Sequence, residues 1–326
     1  MTVEAEPGPS RERGHSRHLR VAHPVLLGPI LNLHRRGAGD PTHRRIGDVW
    51  LRATRTPVGP VLLKLLQTRE GVSARAWGAG AEWALDQLPA LIGLADAVDG
   101  FAPRSCHAPL VDAHRRFPGF RVGRSEAVFE AFAPACIEQV VTGKEAFRAW
   151  RLLVMHYGEQ APGPARDPDS VAYGMRLPPT PACWARVPSW QFLAAGVEQR
   201  RSTTLVRAAS RAVALERTLA GDLPSTDRAL RSLPGVGPWT SAEVRQRAHG
   251  DADAWSIGDY HVGKAITWAL TGEALDDDAC EELLEPYRGH RFRVQMLLGL
   301  AGLRPPRRAP RMTLPTHTPY ATRGRS

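Results

Sequence analysis

Between Asp48 and Trp77 apolar and polar residues alternate with a period of two, which reads as strands. Val49, Leu51 and Ala53 alternate with Trp50, Arg52 and Thr54; Val58-Gly59-Pro60 breaks the run; residues 61–66 resume it; and Val72, Ala74 and Ala76 alternate again. A helix over residues 81–88 should stop near Pro89. From Glu126 onward the spacing is helical. Val128, Phe129 and Phe132 begin an apolar face, Ile137, Val140 and Val141 continue it beyond Pro134, and Phe147, Trp150, Leu153, Val154 and Tyr157 form the next before Gly158. Residues 161–179 are proline-rich and read as a surface linker, and shorter helices follow near 181–185, 190–194 and 201–215. The pattern predicts a mainly α chain with a small α/β part: a helical bundle with a cleft between its halves, plus an N-terminal sheet-containing domain. The expected divisions are a basic, partly disordered arm at 1–42 whose apolar run 25–33 docks on the body, a mixed α/β domain at 43–112, a helical domain at 113–303 and a basic tail at 304–326. No internal repeat is present.

Two segments carry candidate chemistry. In Leu233-Pro234-Gly235-Val236-Gly237-Pro238-Trp239-Thr240 the glycines allow a tight turn with exposed amides, and Pro238 suits the first position of a helix. Free amides and the helix dipole make such a turn a nest for phosphate. Ser225 or Thr226 should cap a short helix carrying Leu230 and Leu233, and Ala242, Val244 and Ala248 supply an apolar set before Gly250 ends the next helix, so residues 226–249 read as a helix-hairpin-helix. The second segment, within residues 255–270, is Ser256-Ile257-Gly258-Asp259-Tyr260, with a carboxylate twenty positions after Trp239. By itself Asp259 reads as the N-cap of a helix over 260–270 that ends near Gly272.

With these residues in hand, the stretch 226–301 resembles the helix-hairpin-helix (HhH-GPD) DNA glycosylase superfamily, most of all the 3-methyladenine DNA glycosylase II type. The Pro-Gly-Val-Gly-x-Trp-Thr run, the Gly-Asp-Tyr that follows and Glu285-Pro286-Tyr287-Arg288 stand in the family's order and spacing. Residues 117–158 match weakly and the first hundred in layout. The resemblance implies a monofunctional glycosylase acting on damaged, alkylated bases flipped out of duplex DNA. Asp259 would be the catalytic carboxylate, stabilising positive charge on the sugar and orienting water. Pro234, Gly235, Val236, Gly237 and Thr240 would grip DNA, and Gln139 and Val140 would fill the gap left by the flipped base. Trp239 and Tyr260 would line the base pocket. Glu243 and Met296 stand where relatives carry aromatics, and Glu243 in the pocket would favour cationic N-alkylated purines. Arg288 and Arg291 are candidate phosphate contacts.

Trp239 fills the hairpin position at which bifunctional relatives carry the lysine that forms a Schiff base. Of 43 Lys and Arg residues only Lys64, Lys144 and Lys264 are lysines. On a helix containing both, Lys264 lies about 140° around from Asp259 and should face elsewhere. Hydrolysis to an abasic site, without lyase activity, is therefore expected. Two other readings stay open: a noncatalytic hairpin scaffold that binds DNA, and a lyase for oxidised bases.

Composition adds less. A net charge of +10 and a pI of about 10.2 suit a polyphosphate partner, although the bias to arginine also fits genomic base composition. Cys106, Cys136, Cys183 and Cys280 are scattered without a Cys-x-x-Cys pair, so no iron-sulfur cluster is expected. His15, His18, His23, His34 and His43 read as part of a solvated arm and Asp276-Asp277-Asp278 as helix-start acids, so no metal site is assigned. The resemblance allows a monovalent cation at the hairpin carbonyls, and no other cofactor. With no apolar run of eighteen residues and no signal segment, the expectation is a soluble monomer of the cytoplasm, at the bacterial nucleoid.

Overall fold

The structure, a computed structural model, describes residues 14–21 and 25–306; the first thirteen residues, His23 and the tail from 307 onward lie outside the described residues. The chain begins with β1 (His15–Arg20), α1 (Leu27–Asn32), β2 (His43–Ile46), β3 (Val49–Thr56), β4 (Gly59–Gln67), β5 (Gly71–Trp77) and α2 (Ala81–Leu91). The five strands form one antiparallel sheet in the order β1-β5-β4-β3-β2. The period-two pattern divides its faces as expected. Trp50, Val61, Leu63, Leu65, Val72, Ala74 and Ala76 pack beneath α1 and α2, while Leu51, Ala53, Leu62 and Trp77 point the other way.

That second face corrects the reading of residues 161–179 as a surface linker. Ala161, Ala165, Ala172, Met175 and Leu177 are buried against it. The segment is closed by Ala161 N donating to Met175 O at 3.0 Å and Leu177 N to Glu159 O at 2.8 Å. Small side chains let an irregular backbone lie flat on a sheet without leaving helical or strand periodicity in the sequence.

Two further corrections concern β1 and α2. Residues 15–20 form an edge strand that pairs with β5 along its whole length, His15 opposite Ala76 and Arg20 opposite Gly71. In addition, α2 runs through Pro89 to Leu91. A proline at that position cannot bond the carbonyl four residues earlier; the Arg17 guanidinium of β1 donates to that carbonyl, Leu85 O, at 2.8 Å. The apolar run within the arm does dock, with Leu27, Ile30 and Leu31 of α1 buried.

Helices make up the remainder: α3 (Ala108–Arg116), α4 (Val128–Glu138), α5 (Gly143–Tyr157), α6 (Pro181–Trp184), α7 (Ser189–Ala195), α8 (Gln199–Ala209), α9 (Ala212–Glu216), α10 (Leu223–Arg231), α11 (Pro238–Val244), α12 (Val262–Thr271), α13 (Asp277–Leu284) and α14 (Arg291–Leu300). The single helix expected over 201–215 is thus two, broken at Ser210-Arg211. Helix α4 is apolar on nearly every side and forms the axis of one helical core, between residues 128 and 248. The second core combines Leu110, Ala113, Phe120 and Val122 with Trp255, Ile266, Phe292 and their neighbours. A boundary at 112 therefore falls inside α3, which packs against α12 and α14. Among the described residues no helix is long and apolar enough to cross a membrane.

A seam of buried charge joins the sheet region to the helices. Arg36 meets Glu138 at 2.6 Å and Arg52 meets Glu130 at 3.0 Å. The Trp150 indole donates to Asp40 at 3.1 Å, and Arg247 donates to Leu33 O at 2.8 Å. His43 is 4% exposed within this seam. Burial pushes its pKa down, outweighing the neighbouring Asp40 carboxylate. His34 is also depressed, by burial and by surrounding arginines. Neither belongs to a solvated arm.

Candidate functional site

The hairpin is built from the ends of α10 and α11. Asp222 caps α10, not Ser225 or Thr226: its carboxylate accepts from Ser225 N at 2.6 Å. Leu230, Leu233 and Val236 anchor the turn in the first helical core. Gly235 has φ 93°, and a Cβ there would lie 2.1 Å from Thr204 Oγ1 on α8. Gly237 differs. Its φ is −95°, and a Cβ would meet nothing within 4 Å. No neighbour in the fold demands glycine at 237, so the cleared space faces outward. Pro238 opens α11 as expected. Among the described residues the amides of Gly237, Trp239 and Thr240 have no acceptor, which leaves three donors at a helix start. Val236 N, by contrast, donates to Leu233 O at 3.0 Å. Helix α11 continues through a π-helical turn, Arg245–His249, to Gly250 at φ 69°.

Gln139 and Val140 follow α4 and stand against this turn. The Gln139 side-chain amide donates to Gly235 O at 3.0 Å and to Thr240 Oγ1 at 2.8 Å. Val140 is 97% exposed with φ 53°. A left-handed conformation is unfavourable for a β-branched residue, and here it lifts an apolar side chain clear of the surface beside the hairpin. Val140 therefore does not continue the apolar face of α4.

Asp259 lies in the turn between the hairpin unit and α12. Its Oδ1 accepts from the amides of His261 at 2.8 Å and Val262 at 3.0 Å. Among the described residues Oδ2 has no partner. The preceding Gly258 N donates to Asp277 Oδ2 at 2.8 Å. Asp277 reaches it because Gly263 on α12 has no side chain; a Cβ there would lie 2.2 Å from Asp277 Oδ1. Trp239 is half-buried on the other side, its Cβ 3.9 Å from where one on Gly258 would stand. Asp259, Tyr260, Lys264, Leu275 and Asp276 to Asp278 line an open groove of about 390 Å³.

Several expected residues occupy other places. Glu243 is 7% exposed and does not face the groove. It pairs with Arg247 at 2.7 Å and accepts from the Ser256 hydroxyl at 2.7 Å. Ser256 N in turn donates to Gln295 at 2.8 Å, and Gln246 donates to the Ser256 hydroxyl at 3.0 Å. Glu243 thereby ties α11 to the segment that carries Asp259. Met296 is half-buried against the second helical core. Arg291 grips Asp253 through Nε at 2.8 Å and Nη2 at 2.5 Å. That pairing raises the Arg291 pKa and, against the opposing effect of burial, holds the Asp253 carboxyl below its usual range. Arg288 pairs with Glu285 at 2.7 Å. Asp276 caps α13 by accepting from Ala279 N at 3.0 Å.

Lys264 requires a further correction. Asp259 precedes α12 instead of lying on it, so the angle reckoned along a shared helix does not apply. Lys264 is the third residue of α12, and side chains there lean back toward the helix start. Its ammonium lies 4.1 Å from the centre of the Tyr260 ring, on the wall of the same groove as Asp259. Tyr260 is 75% exposed. The residues missed in the sequence are those that support the site, Asp277, Ser256, Gln246 and Gln295. Apart from Ser256, which lies in the Asp259 segment itself, they come from the π-helical turn after α11, from α13 and from α14, and no local motif links them to it.

No family model matches the chain, and no curated protein matches it. Solved structures do. The 3-methyladenine DNA glycosylase from Archaeoglobus fulgidus superimposes with a TM-score of 0.69 at 19% identity, covering 86% of this chain and 96% of that one. The 8-oxoguanine glycosylase/lyase from Clostridium acetobutylicum, in complex with duplex DNA containing cytosine opposite 8-oxoG, gives 0.61 at 13% identity, covering 84% and 90%. The chain has the fold of these DNA glycosylases: a helix-hairpin-helix bundle with an N-terminal sheet.

Proposed function

We propose that this protein is a DNA glycosylase that removes damaged, alkylated bases from duplex DNA by hydrolysis. The observation that carries the reading is the arrangement around Asp259. One carboxylate oxygen is fixed by two helix-start amides while the other has no partner among the described residues, at an open groove beside a hairpin start where the amides of Gly237, Trp239 and Thr240 likewise have no acceptor among them. A carboxylate held this way can face the positive charge that develops on a sugar as its bond to the base breaks, and can orient a water for attack. The amides of Gly237, Trp239 and Thr240 would receive a backbone phosphate. Val140 would enter the stack as the base leaves it, with Gln139 holding its loop to the hairpin. Lys264 covers one face of the Tyr260 ring, and the flipped base would stack on the other. The chemistry assigned here needs a carboxylate and water alone.

The preference for alkylated bases is supported by Trp239 at the hairpin position and by the likeness to the A. fulgidus 3-methyladenine enzyme. One observation favours a second reading, a glycosylase/lyase: the amine of Lys264 shares the groove with Asp259 and would be placed to attack the aldehyde of an abasic product.

The test is release of methylated bases from alkylated duplex DNA by the wild type and Asp259→Asn, with borohydride added in parallel. Release lost in the variant, strand breaks only after alkali and no trapped adduct are expected. An adduct lost in Lys264→Ala would establish the lyase reading instead. Salt-dependent duplex binding without release of any damaged base would leave a binding scaffold.

A further inference from the structure

Arg288 and Arg291 are committed to Glu285 and Asp253, and the arginines of the hairpin helices are similarly engaged. Arg231 pairs with Asp227, Arg247 with Glu243, and Arg245 with both Asp227 and Asp251. Three arginines beside the hairpin are different. Arg200 and Arg207 on α8, and Arg211 just after it, are exposed and have no acidic or hydrogen-bonding partner among the described residues.

At about 100° per residue Arg207 lies about 20° around the helix from Arg200, so the two share one face of α8, and Arg211 follows in the turn just past the helix end. The position of this stripe is set by two contacts. Thr204, about 40° around from Arg200, is the residue that a Cβ on Gly235 would strike, so the stripe borders the hairpin turn. Arg201 on the same helix donates to Ile137 O at 2.6 Å, which fixes α8 beneath the loop carrying Gln139 and Val140.

We propose that this stripe on α8 is a phosphate track, which extends the hold of the hairpin along one strand of duplex DNA. The assignment rests on the proposed reading of the protein as a DNA glycosylase. From Arg200 to Arg207 the stripe spans about 10 Å at the helical rise, and Arg211 extends it past the helix end. At about 3.4 Å per phosphate, that helical part alone is the axial length of about three phosphates on one strand. Guanidinium groups suit such contacts through paired donors. The stripe carries no reader of bases, so it would add affinity irrespective of sequence and lesion.

The test measures affinity for an undamaged duplex against salt concentration. The variants are the wild type, the triple Arg200→Ala, Arg207→Ala, Arg211→Ala, and a charge-matched triple at exposed positions away from the hairpin, Arg69→Ala, Arg75→Ala, Arg115→Ala. Each lost phosphate contact should make the plot of log K against log salt shallower by about 0.9, so the α8 triple should lose about 2.7. The distant triple should lose little, and replacing the three α8 residues by lysine should restore most of the slope. Equal losses in both triples would overturn the track, because net charge alone would then explain them. A slope unchanged in the α8 triple would overturn it too, while leaving the glycosylase reading intact. A wild type without salt-dependent duplex binding would overturn both.

Discussion

Replacing Glu243 by Gln tests whether this side chain reads the base or braces the site. The structure buries it at 7% exposure, with Arg247 at 2.7 Å and the Ser256 hydroxyl donating to it at 2.7 Å. Gln keeps an acceptor for Ser256 but removes the charge opposite Arg247. Breaking a buried pair costs about 3–5 kcal/mol because the remaining charge is stranded. Arg247 retains the Leu33 carbonyl at 2.8 Å and the Glu243 carbonyl at 2.9 Å, which places the cost near the lower end, about 3 kcal/mol. With an unfolding entropy of about 2.1 cal/mol/K per residue, a 326-residue chain should lose about 4 °C in Tm. Glu243→Ala should lose about 1 kcal/mol more, having left the Ser256 hydroxyl without its acceptor. The assay pairs thermal melting with excision of a cationic and a neutral damaged base. The ratio of the two excision rates should not change in Glu243→Gln. A ratio shifted severalfold at unchanged Tm would refute the brace and return Glu243 to the base pocket.

The two hairpin glycines should separate stability from binding. Gly235→Ala combines φ 93° with a clash against Thr204 and should cost about 3 kcal/mol in denaturant unfolding. Gly237→Ala meets no atom within 4 Å; it should cost at most about 1 kcal/mol yet weaken duplex binding in fluorescence anisotropy. Equal stability losses would contradict this division. Asp277→Ala frees Gly258 N and with it the turn bearing Asp259, so kcat should fall about 10- to 100-fold with little change in KM. Asp277→Asn, which keeps an acceptor, should recover most of the rate; a change confined to KM would show that Asp277 acts on binding. Burial, aided by nearby arginines, pushes His249 from 6.5 down to about 4. As pH falls the unfolded chain takes the proton first, so this contribution is complete above pH 6.5 and declines between 6.5 and 4, by about 3 kcal/mol. Unfolding free energy measured against pH should show that slope, and His249→Gln should flatten it.

The hairpin and the Asp259 turn were legible in the sequence because glycine, proline and a capping carboxylate act locally. The strands from Val49 to Trp77 were legible for the same reason: each side chain reports its face through a period of two. What escaped depends on partners distant in the chain. The polar segment His15–Arg20 becomes a strand because β5 offers an edge and Leu85 O needs the Arg17 donor. The alanines within residues 161–179 became core because a sheet face lay open to them. The sequence misplaces Lys264 because Asp259 is counted along its helix, whereas α12 begins at Val262, two residues later than expected. Glu243 stood at a position that suggested a pocket wall, and burial beside Arg247 gave it a different task.

The seam of buried charge limits how this protein can be divided. Cutting before α3 would yield a helical fragment in which Glu138 loses Arg36, Glu130 loses Arg52 and Thr54, and Arg247 loses the Leu33 carbonyl. The fragment would expose a surface of charged groups shaped for partners it no longer has, with Glu138 and Glu130 stripped of their arginines and Arg247 left with Glu243 alone among the carboxylates. Arg247 is also the counterion of Glu243, which holds Ser256 three residues before Asp259. The N-terminal sheet and the turn bearing Asp259 are therefore heritable as a unit: recombination that exchanged one without the other would have to replace both sides of the seam together.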